Sequence, residues 1–219
     1  MAEKKKKDQV GEVRLKCVRL SFAHLFSPQA GILDKRTGKV SEPRWGASFL
    51  ISKTTPEGKA ETKKIKAAAD AVKEAKWPGN WPRFKPEKLC FRDGDLEDYD
   101  GYEGHYYLSA GRNTKTKDGA ENPPPALVDR NPEDRLTKAS GKLYSGCWVN
   151  AIIRIWAQDD PVYGKRLNAS LEAVQFVRHG DAFGARPVDP MDAFDDISEE
   201  EGTDIGDEPE FEEEEDLVG

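Results

Sequence analysis

The stretch Gly146-Cys147-Trp148-Val149-Asn150-Ala151-Ile152-Ile153-Arg154-Ile155-Trp156-Ala157-Gln158 alternates with a period of two. Successive side chains of a β-strand point to opposite faces, so this period predicts a strand over 143–158. One face, Cys147, Val149, Ala151, Ile153, Ile155 and Ala157, is wholly apolar and must be the core side. The other carries Trp148, Asn150, Ile152, Arg154 and Trp156. The solvent face of an antiparallel sheet is normally polar, so two tryptophans there need a reason. Either the rings stack on planar ligands, with Arg154 beside them, or a helix covers them as a second core; both readings stay open. Asp159-Asp160-Pro161-Val162-Tyr163-Gly164 then turns the chain. Lys165 to Arg178 returns with Leu167, Ala169, Leu171 and Ala173 alternating against Asn168, Ser170 and Glu172, which makes a hairpin.

Working outward, Val13, Leu15 and Cys17 alternate and then resume one step out of phase at Val18, Leu20 and Phe22. The slip predicts a β-bulge near Cys17. The opposite face carries Arg14, Lys16 and Arg19, a row that is either solvated or paired with phosphates. Trp45, Ala47, Phe49 and Ile51 give a second strand after a turn-rich charged connection over Gly31 to Pro43, and Tyr106 to Ala110 a later one. Between Pro56 and Trp77 the period changes, with Ile65, Ala68, Ala69, Val72 and Ala75 at helical spacing. The fold class is therefore mainly β with one helix. Two loops stand out. Trp77-Pro78-Gly79-Asn80-Trp81-Pro82-Arg83-Phe84-Lys85-Pro86 interleaves rings with cations, which suits stacking on bases (Trp77, Trp81) and pairing with phosphates (Arg83, Lys85), or else a lid on a small core. Gly111 to Pro125 carries Arg112, Lys115 and Lys117 and is too polar to be buried.

Charge divides the chain in two. The 219 residues hold 34 Lys and Arg and 41 Asp and Glu, a net charge of −7. Sixteen of the acids follow Pro187, where no Lys or Arg occurs, leaving 25 for the first 186 residues; the body is therefore +9 and the tail −16. A basic body joined to a polyanion suggests that the tail competes with a nucleic-acid backbone. Its composition predicts disorder, with Phe194 and Phe211 as isolated anchors for a protein partner. The start, residues 1–10, is lysine-rich and is likewise expected to be disordered. Cys17, Cys90 and Cys147 are odd in number and widely spaced, which fits reduced thiols and a cytoplasmic protein. No apolar run is long enough to span a bilayer.

Six carboxylates, Asp93, Asp95, Glu97, Asp98, Asp100 and Glu103, fall within eleven residues. Read as an EF-hand loop they fail, because the sixth and twelfth positions are Asp98 and Gly104. A metal-dependent nuclease or other phosphoryl-transfer enzyme built on Asp93 to Glu103 stands as an alternative function, as does a structural protein whose basic body meets an acidic partner. No phosphate-cradling Gly-rich loop, nucleophile elbow or His-Glu-x-x-His is present. The reading adopted is non-enzymatic, with no metal and no cofactor.

The Asp93-Gly94-Asp95 turn, the strand start Gly146-Cys147-Trp148-Val149-Asn150-Ala151, the strand Leu171-Glu172-Ala173-Val174-Gln175-Phe176-Val177-Arg178 followed by Gly180-Asp181, and the acidic C-terminus together resemble a family of bacteriophage single-stranded-DNA-binding proteins. The resemblance implies an OB-fold, a five-stranded bent antiparallel barrel with long loops, over 11–186, between a basic N-terminus at 1–10 and a disordered acidic tail at 187–219. It implies sequence-independent binding of single-stranded DNA in phage replication or recombination, in the host cytoplasm. It also implies a tail that competes with DNA and recruits replication or recombination proteins. The expected DNA-binding residues are Trp148, Arg154, Trp156, Trp77, Trp81, Arg83, Lys85, Arg112, Lys115, Lys117, Arg14 and Lys16. Homo-oligomerisation and the number of nucleotides covered stay open.

Overall fold

The computed structural model describes residues 10–35, 38–116 and 118–184. Lys117, Phe194, Phe211 and the acidic tail lie outside the described residues. The strands are β1 (Glu12–Gln29), β2 (Leu33–Asp34), β3 (Lys39–Val40), β4 (Arg44–Ser52), β5 (Phe91–Asp93), β6 (His105–Asn113), β7 (Ala126–Val128), β8 (Trp148–Asp160) and β9 (Gly164–Arg178), with α1 (Pro56–Lys76) between β4 and β5.

Five of these strands close on themselves. β1 pairs with β4 and β8, β4 with β6, and β8 with β9, all antiparallel, and β6 meets β9 in parallel where Gly111 faces Ser170. That last seam closes the five strands into a barrel, with the short strands β5 and β7 left at its margins. Each barrel strand sends at least one large residue inward at no more than 1 % exposure, among them Leu15, Phe49, Leu108, Ile153 and Leu171. Each such burial is worth about 1.5–3 kcal/mol. The alternation over 147–158 is realised as expected, with Val149, Ala151, Ile153 and Ile155 buried. The strand begins at Trp148 rather than at Leu143 and runs on through Asp160.

The bulge falls where the phase slip placed it. Register with β8 shifts between Leu15 and Val18, and Cys17 sits at φ 49°, a conformation costly for a residue with a side chain. The Cys17 amide donates to Asn150 Oδ1 at 2.9 Å, so Asn150 satisfies the backbone group that the bulge leaves out of the ladder.

Helix α1 starts with Thr55, whose hydroxyl accepts from the Gly58 amide at 3.1 Å, and with Pro56 in its first turn. Its inward face is Gly58, Glu61, Ile65 and Val72. It packs on β1, β4 and β8 but leaves the outer face of β8 uncovered: Trp156 is 36 % exposed, and Trp148 is only partly buried, between arginines. The second-core reading of these two rings is thereby set aside. Trp77 is different. It is 9 % exposed, tilts against Phe84 at 5.7 Å and donates through Nε1 to Asp159 Oδ2 at 3.0 Å. The expectation of an open, base-stacking Trp77 is corrected: the prolines fold this ring back onto the core.

Candidate nucleic-acid interface

An open groove of about 970 Å³ runs across the β6–β9 seam. Its floor is Ser109, Gly111 and Arg112 of β6 with Asn168, Ser170 and Glu172 of β9. One wall is the arm formed by β2 and β3, together with Arg44; the opposite wall is the β8–β9 hairpin, with Trp156, Gln158, Tyr163 and Arg166. Parity explains the hairpin wall. Because Leu167 and Ala169 must point inward, Arg166, Asn168 and Ser170 point outward, and Trp156 faces Asn168 across the ladder.

Seven cations line the groove, Lys39, Arg44, Lys88, Arg92, Arg112, Lys115 and Arg166, against three acids, Asp34, Glu87 and Glu172. Glu172 is already neutralised, since it accepts from Arg112 Nη1 at 2.8 Å; the other arm of Arg112 donates to Asn122 Oδ1 at 3.2 Å. Arg44 lies flat over Gly111, where an added Cβ would sit 2.0 Å from its Nη2. The glycine supplies the depth that lets a guanidinium rest on the floor. Partial withdrawal from water there lowers the Arg44 pKa below the ordinary arginine value. Burial pushes the Cys90 thiol, in the groove wall, up to about 12, so it is neither a nucleophile nor a thiolate ligand. The groove thus offers guanidinium and ammonium groups around one open indole.

Of the expected DNA-binding residues, the structure brings Trp156, Arg112 and Lys115 together in this groove. Arg154 lies on the same outer face of β8 as Trp156, one alternation along, with its Nε buried and without a hydrogen-bond partner. Arg14 and Lys16 are exposed on the outer face of β1, and Arg14 pairs with Glu12 at 2.8 Å. Trp148 stands at the far end of β8. Trp81 is 45 % exposed but is held against α1, its Nε1 donating to Glu74 at 2.7 Å and Lys73 lying 4.9 Å from its ring centroid. Arg83 and Lys85 are exposed outside the groove lining. Lys39, Arg44, Lys88, Arg92 and Arg166 were not anticipated. The parity of Arg166 against Leu167 was a usable signal; Lys39 and Arg92 sit in strands of two and three residues, Arg44 at the start of β4 and Lys88 in a connection, and only the barrel defines their neighbours.

The acidic loop is self-contained. Lys53 donates to both Asp93 and Asp95, the latter at 2.6 Å, and Asp95 also accepts from the Gly104 amide at 2.7 Å. These hydrogen bonds, that from Lys53 first, hold the Asp95 carboxyl below the usual aspartate range. Glu97 accepts from the Tyr107 hydroxyl, and burial followed by that bond raises the Tyr107 pKa. Among the described residues no three His, Cys, Asp or Glu side chains gather to hold a metal ion.

Residues 11–205 match the model of a family described as the ssDNA-binding protein of Enterobacter phage Enc34. The chain belongs to this family. Protein p50 of Acyrthosiphon pisum secondary endosymbiont phage 1 is 36 % identical over 195 residues, covering 85 % of this chain and 94 % of its own length. Among solved structures, the single-stranded DNA-binding protein from bacteriophage Enc34 matches at 27 % identity and a TM-score of 0.62, over 87 % of this chain and 97 % of that one. The same protein in complex with ssDNA matches at 28 % and 0.64, over 84 % and 100 %. Bacteriophage T7 gp2.5, also a single-stranded DNA binding protein, shares the fold alone, at 12 % identity and a TM-score of 0.52 over 84 % of this chain and 95 % of that one. Enc34-family membership settles the enzyme question: these are non-enzymatic DNA-binding proteins, and the nuclease reading of Asp93 to Glu103 is withdrawn.

Proposed function

We propose that this protein binds single-stranded DNA without sequence preference, along the groove between the β2–β3 arm and the β8–β9 hairpin. The observation that carries the reading is the convergence of seven cations and one exposed tryptophan on a barrel seam, in a member of a phage ssDNA-binding family. OB-type barrels use the same face and the loops that flank it. Arg44, Arg112, Arg166 and the lysines pair with phosphates. Trp156 stacks on a base, and every base has a π face, so the contact tolerates any sequence. Asn168 and Ser170 offer neutral hydrogen bonds between the charges. The protein acts in phage replication or recombination in the host cytoplasm. Its acidic tail competes with DNA for the basic body and, once displaced, recruits partner proteins through Phe194 and Phe211; the +9 and −16 division of charge supports this.

Titration of a fluorescent oligo(dT) with the full chain across a salt series tests the binding. Phosphate pairing releases counterions, so log K should fall linearly with log salt, with a slope of about −3 to −5 if most of the seven cations are engaged. No binding at low salt would end this reading and leave the alternative of an acidic protein partner for the basic body.

A further inference from the structure

A second cation–aromatic site lies outside the groove. At the end of β8 farthest from Trp156, Trp148 is flanked in register by Arg19 of β1 and Arg178 of β9. The guanidinium carbons stand 5.4 Å and 4.2 Å from the indole centroid. Arg19 is held in place, donating to the Asp181 carbonyl at 2.7 Å and lying 4.6 Å from the Phe183 centroid. Arg178 is exposed and pairs with no carboxylate among the described residues. Backbone geometry builds the site: Gly146 at φ 112° lets the chain pass within van der Waals reach of Asp181, and Gly180 lies against the edge of the Trp148 indole. Beside it His179 stacks on Tyr144, 5.8 Å between centroids and 18° between planes, and Arg130 is fixed to the Val177 carbonyl at 2.8 Å.

A guanidinium stacked on an indole keeps its second face and its N–H edge free, the pair of contacts a nucleotide uses: base on the plane, phosphate on the edge. The ground between this stack and Trp156 is open to a polyanion. Along β8 it carries Arg154, Ile152 and Asn150; Glu12, on the neighbouring strand, is paired with Arg14, and Glu172 with Arg112. Eight steps along the strand separate the two tryptophans, about 26 Å at the usual rise.

We infer that the outer face of β8, ending at the Trp148–Arg178 stack, is a second contact for the same single strand of DNA, reached only by strands that extend beyond the groove. The inference rests on groove binding as proposed above. Arg178→Ala removes one stacking plane and one phosphate partner while leaving core, ladder and groove untouched. Affinity is measured with a short oligo(dT) of about eight nucleotides, within the range one OB-fold covers, and with one of about thirty. The variant should bind the short strand as the wild type does, bind the long strand about fivefold to tenfold more weakly, and show a salt slope for the long strand smaller in magnitude by about one. Unchanged affinity for the long strand overturns the inference, as does an equal loss for both lengths. Wild-type failure on the short strand would instead overturn groove binding. Photocrosslinking of bromouracil-substituted strands gives an independent readout. Labelling at Arg178 and the neighbouring exposed His179 by the long strand and not by the short one is expected, and its absence counts against the second contact.

Discussion

At the scale of the residue, the five tryptophans show how little side-chain identity says about role. Trp77 and Trp156 are chemically alike, yet one is 9 % exposed with its Nε1 satisfied by Asp159 and the other is 36 % exposed in the groove wall. Trp156→Ala should therefore weaken oligo(dT) binding by about 1–3 kcal/mol with an unchanged denaturation midpoint. Trp77→Ala should lower folding stability by about 3–5 kcal/mol in chemical denaturation, as emptying a packed aromatic site does. Swapped outcomes would mean that the groove is misassigned. Parity along 147–158 already placed Trp156 on the outer face. Nothing in the local pattern distinguished the prolines that fold Trp77 inward from prolines that would hold it out.

Elements are tied together by charge as well as by packing. Lys53, just after β4, bridges to Asp93 and Asp95 around the end of β5, and this ion pair docks the acidic loop to the barrel. The folded Asp95 pKa lies below its ordinary 3.8. A depressed carboxylate contributes stability that is fully present above the unfolded pKa and is lost as pH falls through the folded value. Melting temperature should thus hold from neutrality to about pH 4 and then decline. Lys53→Met should flatten the part of that decline that Asp95 supplies, and an identical acid profile in the variant would show that the bridge contributes nothing. The sequence displayed the carboxylates but not their partner, forty residues upstream of Asp93 and just past the end of another strand.

For the whole molecule the decisive feature is the separation of charge, +9 before Pro187 and −16 after it. A chain ending at Arg186 should bind oligo(dT) more tightly than the full protein at low salt, with the gap closing as salt rises, because a tethered polyanion and DNA compete electrostatically. Equal affinities at every salt concentration would remove the tail from the binding equilibrium. What the sequence by itself determined is what is local in cause: the five barrel strands, from period-two alternation; the helix, from its change of period; the bulge at Cys17, from a one-residue phase slip; and the charge division. What only the tertiary structure decided is which residues share a surface. Lys39, Arg44, Lys88, Arg112, Trp156 and Arg166 come from segments far apart in the chain and meet because β6 closes onto β9. Alternation reports which side of a strand is buried, but the neighbours a strand acquires depend on long-range closure, where the free energy of pairing and core burial is collected from the whole barrel at once.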